Sequence, residues 1–452
     1  MHDSRSSPDS LGGSVYLSLT VGGPIAGWFI RYYERDASRV IGLAVNGNAL
    51  TTLFWALTPT GSKYSALIFI CLRIIMGLFQ SFICVFLPIW VIQHAPCNKK
   101  TSWMAYLQAS VPVGIMLGYI LAAVVLELDT DHDQLLFHVS NWRWPIIIEV
   151  CALLPFCLGF FFIPNTALNL ILKYDNLEQS KGCIVREEGR QLPVSLCEKN
   201  QASESVFSIV YSLFRLPGYK YLIGTMTSLY FVVTGIQFWI PSYMLVVISS
   251  SRPLVNANFI AVASTAPTIG ILFGGWLIDY HGGFKTLEQR IKTLKICLLF
   301  GFLSVCSAVA LVFIRVLWQF SITLWILLFC GAAILPSCSG IVLSIVPDQL
   351  RPTASSLNLM IFNFFGYFLS LTLSGWMMQL LIDDGSCNYT CSRIWGFRMI
   401  LSWSIFSLTF LALALMDTTV GRDKFFESKK ENDIVVNSML ETGTPHQLGM
   451  SE

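Results

Sequence analysis

Three charged residues stand where their neighbours are apolar: Arg73 in "CLRIIMG", Glu149 in "RWPIIIEV" and Asp279 in "GWLIDYH". An arginine so placed offers a planar fork of donors that suits a carboxylate or a phosphate. Gln80 follows seven residues later and shares its helical face. Glu149 is open to three readings: a partner for Arg73, a proton-binding site, or a solvated residue near a boundary. Uncharged polar groups collect in "YLIGTMTSLYFVVTGIQFWIPSYM", where Thr225, Thr227, Ser228, Thr234 and Gln237 interrupt the apolar face and Tyr230 and Trp239 add aromatic rings. Hydroxyls and aromatics suit an amphipathic or lipid-like solute, or bond one helix to another.

Catalytic constellations are not evident. The histidines at 2, 94, 132, 138, 281 and 446 fall in loops, tails or helix ends, and none sits mid-membrane with an acid or nucleophile beside it. Cys183 and Cys197 lack zinc spacing, and no phosphate loop of the G-x4-G-K-[ST] kind occurs. Enzymatic and ATP-driven chemistry therefore lose support, as does a potassium-type filter. Neither cofactor nor metal is expected.

The elements that must hold these residues are membrane helices. Charged residues make up 12% of the chain and hydrophobic ones 54%, against about 25% charged in an ordinary soluble domain. The apolar residues form roughly eleven runs, each long enough to cross about 30 Å of hydrocarbon as a helix. They lie near 11–30, 40–58, 66–92, 103–126, 143–163, 219–246, 257–280, 293–316, 320–344, 353–382 and 394–416. Backbone amides in lipid have no water to bind, and the runs lack barrel alternation, so the fold class is all-α. The chain is expected to be a multi-pass protein of the plasma membrane or an endomembrane. A formal charge of +2 gives no reason to propose nucleic acid. The partners expected are membrane lipids and a small-molecule or lipid-like substrate, with coupling to a proton or another ion left open.

Most of the 29 basic residues fall in the gaps after runs one, three, five, seven and nine and in the C-terminal tail. The positive-inside rule makes that side cytoplasmic. The sequon Asn388-Tyr389-Thr390 lies on the other side between Cys387 and Cys391, so a glycosylated loop with an oxidised cysteine pair is expected. The heptapeptide "GWFIRYY" at 27 returns as "GWLIDYH" at 275, an interval of 248 residues, and "MLGYIL" around Gly118 matches "FFGYFL" around Gly366 at the same interval. Two matches at one interval suggest duplication. The expected domains are a transmembrane half at 1–163, a polar linker with an interfacial helix at 164–216, a second half at 217–416 and a disordered tail at 417–452.

Two parallel halves, a long middle loop and a Gly-x-Leu-x-Asp signature resemble the major facilitator superfamily. Gly275, Leu277, Asp279 and Gly282 match its G-x-L-x-D-R-x-G-R-R pattern, with Lys285 near the basic end. Arg73 and Gly77 resemble the R-x-x-x-G of its fourth helix, "VPVGIMLGY" the Pro and Gly pattern of its fifth, and "NWRW" the start of its sixth. Pro112 lacks the G-P-x-x-G-G core of exporters, so antiport is not implied. The resemblance implies a secondary transporter in which the halves rock about a midplane site lined by the helices of Arg73, 219–246 and 320–344. It also implies that Asp279 braces the halves at a cytoplasmic helix end. An acid suits a helix N-terminus and Arg31 does not, so the brace is expected on one side, unless Arg31 is simply an inside-positive residue. A weaker similarity points to Spinster-like lipid transporters. The second function carried is a non-transporting, receptor-like or inactive relative. Subtracting 248 from 219–246 puts the counterpart of the polar helix before Met1, and a further helix is expected there.

Overall fold

The structure, a computed structural model, describes residues 7–33, 36–60, 64–96, 98–127, 141–160, 162–163, 168, 170, 206–248, 251–385 and 387–441. Each apolar run coincides with a helix, and no strand occurs among the described residues. The first half comprises α1 (Ser7–Tyr32), α2 (Ala37–Leu57), α3 (Ser65–His94), α4 (Lys100–Glu127) and α5 (Trp144–Gly159). A short amphipathic helix α6 (Val206–Phe214) leads into the second half. There follow α7 (Tyr219–Val246), α8 (Arg252–Tyr280), α9 (Leu287–Phe313), α10 (Leu317–Ile345), α11 (Arg351–Ile361), α12 (Leu369–Asp383) and α13 (Tyr389–Glu441). A π-helical turn, Phe362–Phe368, joins α11 to α12 without a break. Nine spans among the described residues are long and apolar enough to cross a membrane, and α5 is a shorter apolar helix. Prolines inside α1, α3, α4, α7, α8 and α10 fit that setting, where neighbouring helices re-satisfy the freed carbonyls.

Two expectations change. The helix α13 continues past Met416 to Glu441, so the expected disordered tail begins as helix; the segment is free of proline and mixes Glu with Lys, which favours that state. Linker residues 171–205 and tail residues 442–452 lie outside the described residues. The second change concerns the repeat. The ends of α1 and α8, Tyr32 and Tyr280, keep the interval of 248, but α4 and α11 begin at Lys100 and Arg351, 251 apart. The pairing of Gly118 with Gly366 is therefore three residues out of structural register. Gly366 packs against Tyr230, whereas nothing lies within 4 Å of a side chain added at Gly118.

Small residues bring the helices together. Gly77 of α3 faces Ser18 of α1, while Gly270 and Gly274 of α8 meet the backbone of α10 at Phe329 and Ala333. Such contacts matter in lipid, where no hydrophobic force drives helices together and close van der Waals approach supplies the attraction. α10 is the most buried span. The two halves meet along α4 against α8 and α1 against α11. At the basic end one apolar cluster crosses between them, with Val91, Ile92 and Met104 of the first half against Ile341, Val346 and Ala354 of the second. The opposite end differs. In α4, Thr101, Met104, Ala105 and Ala109 are buried, but Leu117, Gly118, Tyr119 and Ile120 are all exposed. Four successive residues point around nearly the whole helix circumference. That part of α4 is unpacked on every side, so the α4–α8 seam is packed at the basic end and not at the other, while α1 stays in contact with the Phe362–Phe368 turn.

Candidate functional site

The seal is fastened by Asp279. This residue ends α8, and the turn beyond it uses Gly282 at φ 101° and Gly283 at φ 74°, left-handed conformations that suit glycine. The N–H of Gly282 bonds to the carbonyl of Asp279, and that of Gly283 to Ile278. Thr286 then starts α9 with a capping box to Gln289, and the Thr293 hydroxyl donates back to the Gly283 carbonyl at 2.9 Å. So held, the Asp279 carboxylate reaches the other half. Its Oδ1 accepts from the Thr101 N–H at 3.1 Å, and its Oδ2 from the Ser102 N–H at 2.7 Å and the Ser102 hydroxyl at 2.6 Å. These amides open α4, so the acid satisfies orphan donors and meets the positive end of the helix dipole. Gly275, one turn earlier, makes the approach possible, since an added Cβ would stand 2.5 Å from the Cβ of Ala105. Lys285 adds a bond to the Asn98 side chain at 2.7 Å. Arg31, at the end of α1, is exposed and makes no hydrogen bond or ion pair among the described residues.

Arg73 lies near the Ser65 end of α3, away from this seal. Its guanidinium lies 4.6 Å from the Trp55 ring centre, and the Tyr16 hydroxyl is within electrostatic range. Gly77, one turn along α3, sets α1 close enough for that neighbour. Tyr16 in turn stacks on Tyr367 across the half boundary, with centroids 4.9 Å apart and planes at 9°. Tyr367 stacks on Tyr230 at 5.1 Å, and Tyr230 meets Phe362 at 5.3 Å. A column of rings thus runs from the arginine toward the sealed floor. At the floor Gln108 of α4 donates to the Ser339 hydroxyl of α10 at 2.6 Å, leaving its own Oε1 buried without a partner.

Other residues singled out by the sequence fall elsewhere. Glu149 is exposed on α5 and makes no ion pair with Arg73, and Gln80 and Gln237 are exposed. The hydroxyls of Thr225, Thr227, Ser228 and Thr234 each donate to the carbonyl four residues back, at 2.7–3.0 Å. Thr225, Ser228 and Thr234 are also buried. In an apolar setting that carbonyl is the nearest acceptor. Trp239 joins an outer cluster: its indole N–H donates to Ser374 at 2.7 Å and Arg393 lies 4.6 Å over its ring. Arg393 also donates to the Tyr389 hydroxyl at 2.8 Å. Cys387 and Cys391 are joined beside that tyrosine, and Asn388 is exposed. Trp55, Tyr16 and Tyr367 went unread in the sequence. A tryptophan near the end of one apolar run and a tyrosine inside two others carry no spacing signal that would bring them together.

A two-half helical bundle, joined along one seam by a carboxylate on a helix N-terminus, has the architecture of a membrane transporter. The family model of the Major Facilitator Superfamily matches residues 2–371, and the chain belongs to that family. It is a transporter by family, not an enzyme. Among solved structures, the proton:xylose symporter XylE bound to 6-bromo-6-deoxy-D-glucose is similar at 17% identity and TM-score 0.61, over 90% of this chain and 87% of that one. The transporter FucP in its outward conformation gives 13% identity and TM-score 0.63, over 92% and 90%. The human organic anion transporter MFSD10 (TETRAN) gives 14% and 0.60, over 89% and 83%. A comparison with curated protein sequences found no match.

Proposed function

We propose that this chain moves an organic solute with an anionic group and an apolar body by alternating access. The observation that carries this reading is Arg73: a partly buried cation that makes no ion pair with a carboxylate among the described residues, next to a column of rings that spans both halves. An arginine inside a membrane span costs about 2.5–3.5 kcal/mol at the helix centre, and the Trp55 face offsets part of that. The remaining donors of its fork suit a carboxylate or phosphate, and the rings of Tyr16, Tyr367 and Tyr230 offer apolar edges to the rest of the solute. Asp279, with Gly275 and Gly282 positioning it, holds the cytoplasmic gate shut while the site faces outward.

Coupling to a proton is supported by two of the similar proteins, the proton symporters XylE and FucP, and Glu149 is the acid we assign to it. Asn388 is proposed to carry a glycan on an outer loop tied by Cys387 and Cys391. Uptake into proteoliposomes tests the main reading. Saturable flux of an organic anion is expected, with Arg73→Lys folded but at least about tenfold slower, since it keeps charge and loses the planar fork. Full flux in Arg73→Lys would remove the anion site. No saturable flux over a broad solute panel would favour the receptor-like or inactive relative.

A further inference from the structure

The sealed cytoplasmic seam holds more positive charge than its own residues neutralise. Lys100 opens α4 on the first half, Arg351 opens α11 on the second, and Lys285 lies in the turn between α8 and α9. The ammonium of Lys100 is within electrostatic range of both other cations and of one carboxylate, Asp348. It is partly buried and makes no hydrogen bond or ion pair among the described residues. Arg351 is committed elsewhere, with Nη1 on Asp348 at 2.6 Å and Nε on the Leu343 carbonyl at 3.2 Å, and its side chain is 14% exposed. Lys285 is exposed and bonds only the neutral Asn98 side chain. Asp279 is the other acid nearby, and both its oxygens are occupied by the α4 terminus. Closing the gate therefore brings together cations from both halves with one free carboxylate edge between them. Like charges so placed oppose closure.

We infer that the Lys100, Lys285 and Arg351 cluster is a binding site for a phosphate-bearing anion, which joins the halves and favours the cytoplasm-closed state. The shared chemistry is a phosphomonoester dianion, whose acceptor oxygens would complete the bonds that Lys100 lacks. It could come from an anionic lipid of the inner leaflet, to which basic residues at the membrane surface are drawn, or from a soluble phosphate ester. The site uses none of the residues assigned to the solute, and its readout needs no transport.

Val346, 1% exposed in the cluster that crosses the seam, reports the state when changed to cysteine. Alkylation of Val346→Cys by a polar maleimide is measured in phosphatidylcholine nanodiscs, in discs doped with a phosphatidylinositol phosphate, and in phosphatidylcholine discs with inositol hexakisphosphate. The parent chain corrects for its native thiols. An anion that occupies the site slows alkylation about fivefold, the effect of roughly one lysine's attraction to a charged surface. Slowing by the doped lipid alone identifies a lipid headgroup, and slowing by the soluble ester as well identifies a free anion. In Lys100→Gln and Lys285→Gln the response is lost, and in Lys100→Glu alkylation is slow without any anion. An undiminished response in Lys100→Gln, or no slowing by either anion in the unsubstituted seam, would overturn the proposal.

Discussion

The seams α8 with α4 and α1 with α11 are pseudo-equivalent, yet only one is locked. In both, a glycine allows the helices to touch: a Cβ added at Gly275 would meet Ala105 and the Thr101 carbonyl, and one at Gly27 would meet Ser356 and the Pro352 carbonyl. The correspondence is residue by residue, with Ala105 matching Ser356 and Thr101 matching Pro352. The polar chemistry diverges. Asp279 accepts two amide N–H bonds and one hydroxyl bond from α4, while Arg31 makes no bond to α11 among the described residues and α11 draws its acid from Asp348 in its own chain segment. Close packing and locking are thus separate properties, the first set by glycine and the second by charge.

The largest effect is expected where packing is broken. Gly275→Val places branched carbon against a Cβ and a carbonyl that cannot rotate away, at a cost of about 3 kcal/mol to the closed state. Gly27→Val should cost a similar amount, because the same kind of contact fails. Both should expose a thiol placed at Val346 to polar reagents. A mild effect at one glycine with a severe effect at the other would break the packing half of the comparison.

Locking comes next. Asp279→Asn keeps the shape but loses the charge that faces the α4 dipole, about 2 kcal/mol for a partly buried site, or roughly 30-fold in the open-to-closed ratio. Arg31→Asn should change that ratio less than twofold, since Arg31 is exposed and makes no hydrogen bond or ion pair among the described residues. Spin labels on the cytoplasmic ends of α4 and α8 would report both, and equal shifts would sink the one-lock reading. Ser102→Ala removes one of the three donors to Asp279, worth about 1 kcal/mol or fivefold, and leaves the backbone bonds in place. Hydrogen exchange of the Thr101 and Ser102 amides should quicken accordingly.

Most of the fold was legible, and so was the lock. Hydropathy runs report each helix because lipid demands length and apolarity of every span, and Asp279 stood out because an acid after "GWLI" needs a reason. The partner of that acid was not legible, since Thr101 and Ser102 contribute backbone N–H groups that any residue but proline supplies. The site around Arg73 was half legible. Its charge was conspicuous, but Trp55, Tyr16 and Tyr367 come from three helices, and a single sequence does not say which faces meet. The polar face of α7 is ambiguous in sequence, because a threonine that bonds its own helix reads like one that faces a solute. The second repeat match misled for a geometric reason: the interval grows from 248 to 251 between α1 and α4, and a Gly-Tyr pair recurs easily.

The smallest effect is the most discriminating. If the difference between the seams is only the sign of charge at one position, then Arg31→Asp should install a second lock as strong as the first. The residue correspondence says otherwise. Thr101 and Ser102 each donate an N–H to Asp279, and their counterparts on α11 are Pro352 and Thr353. Proline has no N–H, so an acid at position 31 finds one backbone donor where Asp279 finds two. It would also stand near the positive cluster of Arg351, which adds a modest attraction screened by water. The expected gain is about 0.5 kcal/mol, near twofold in favour of the closed state and well short of the loss in Asp279→Asn. In the double variant Arg31→Asp with Asp279→Asn, closure should be only partly recovered, read as label separation at the cytoplasmic end. Pro352→Thr added to Arg31→Asp should then raise the gain, because it restores the missing donor. Full rescue by Arg31→Asp alone would show that charge, and not the amide at Pro352, separates the two seams.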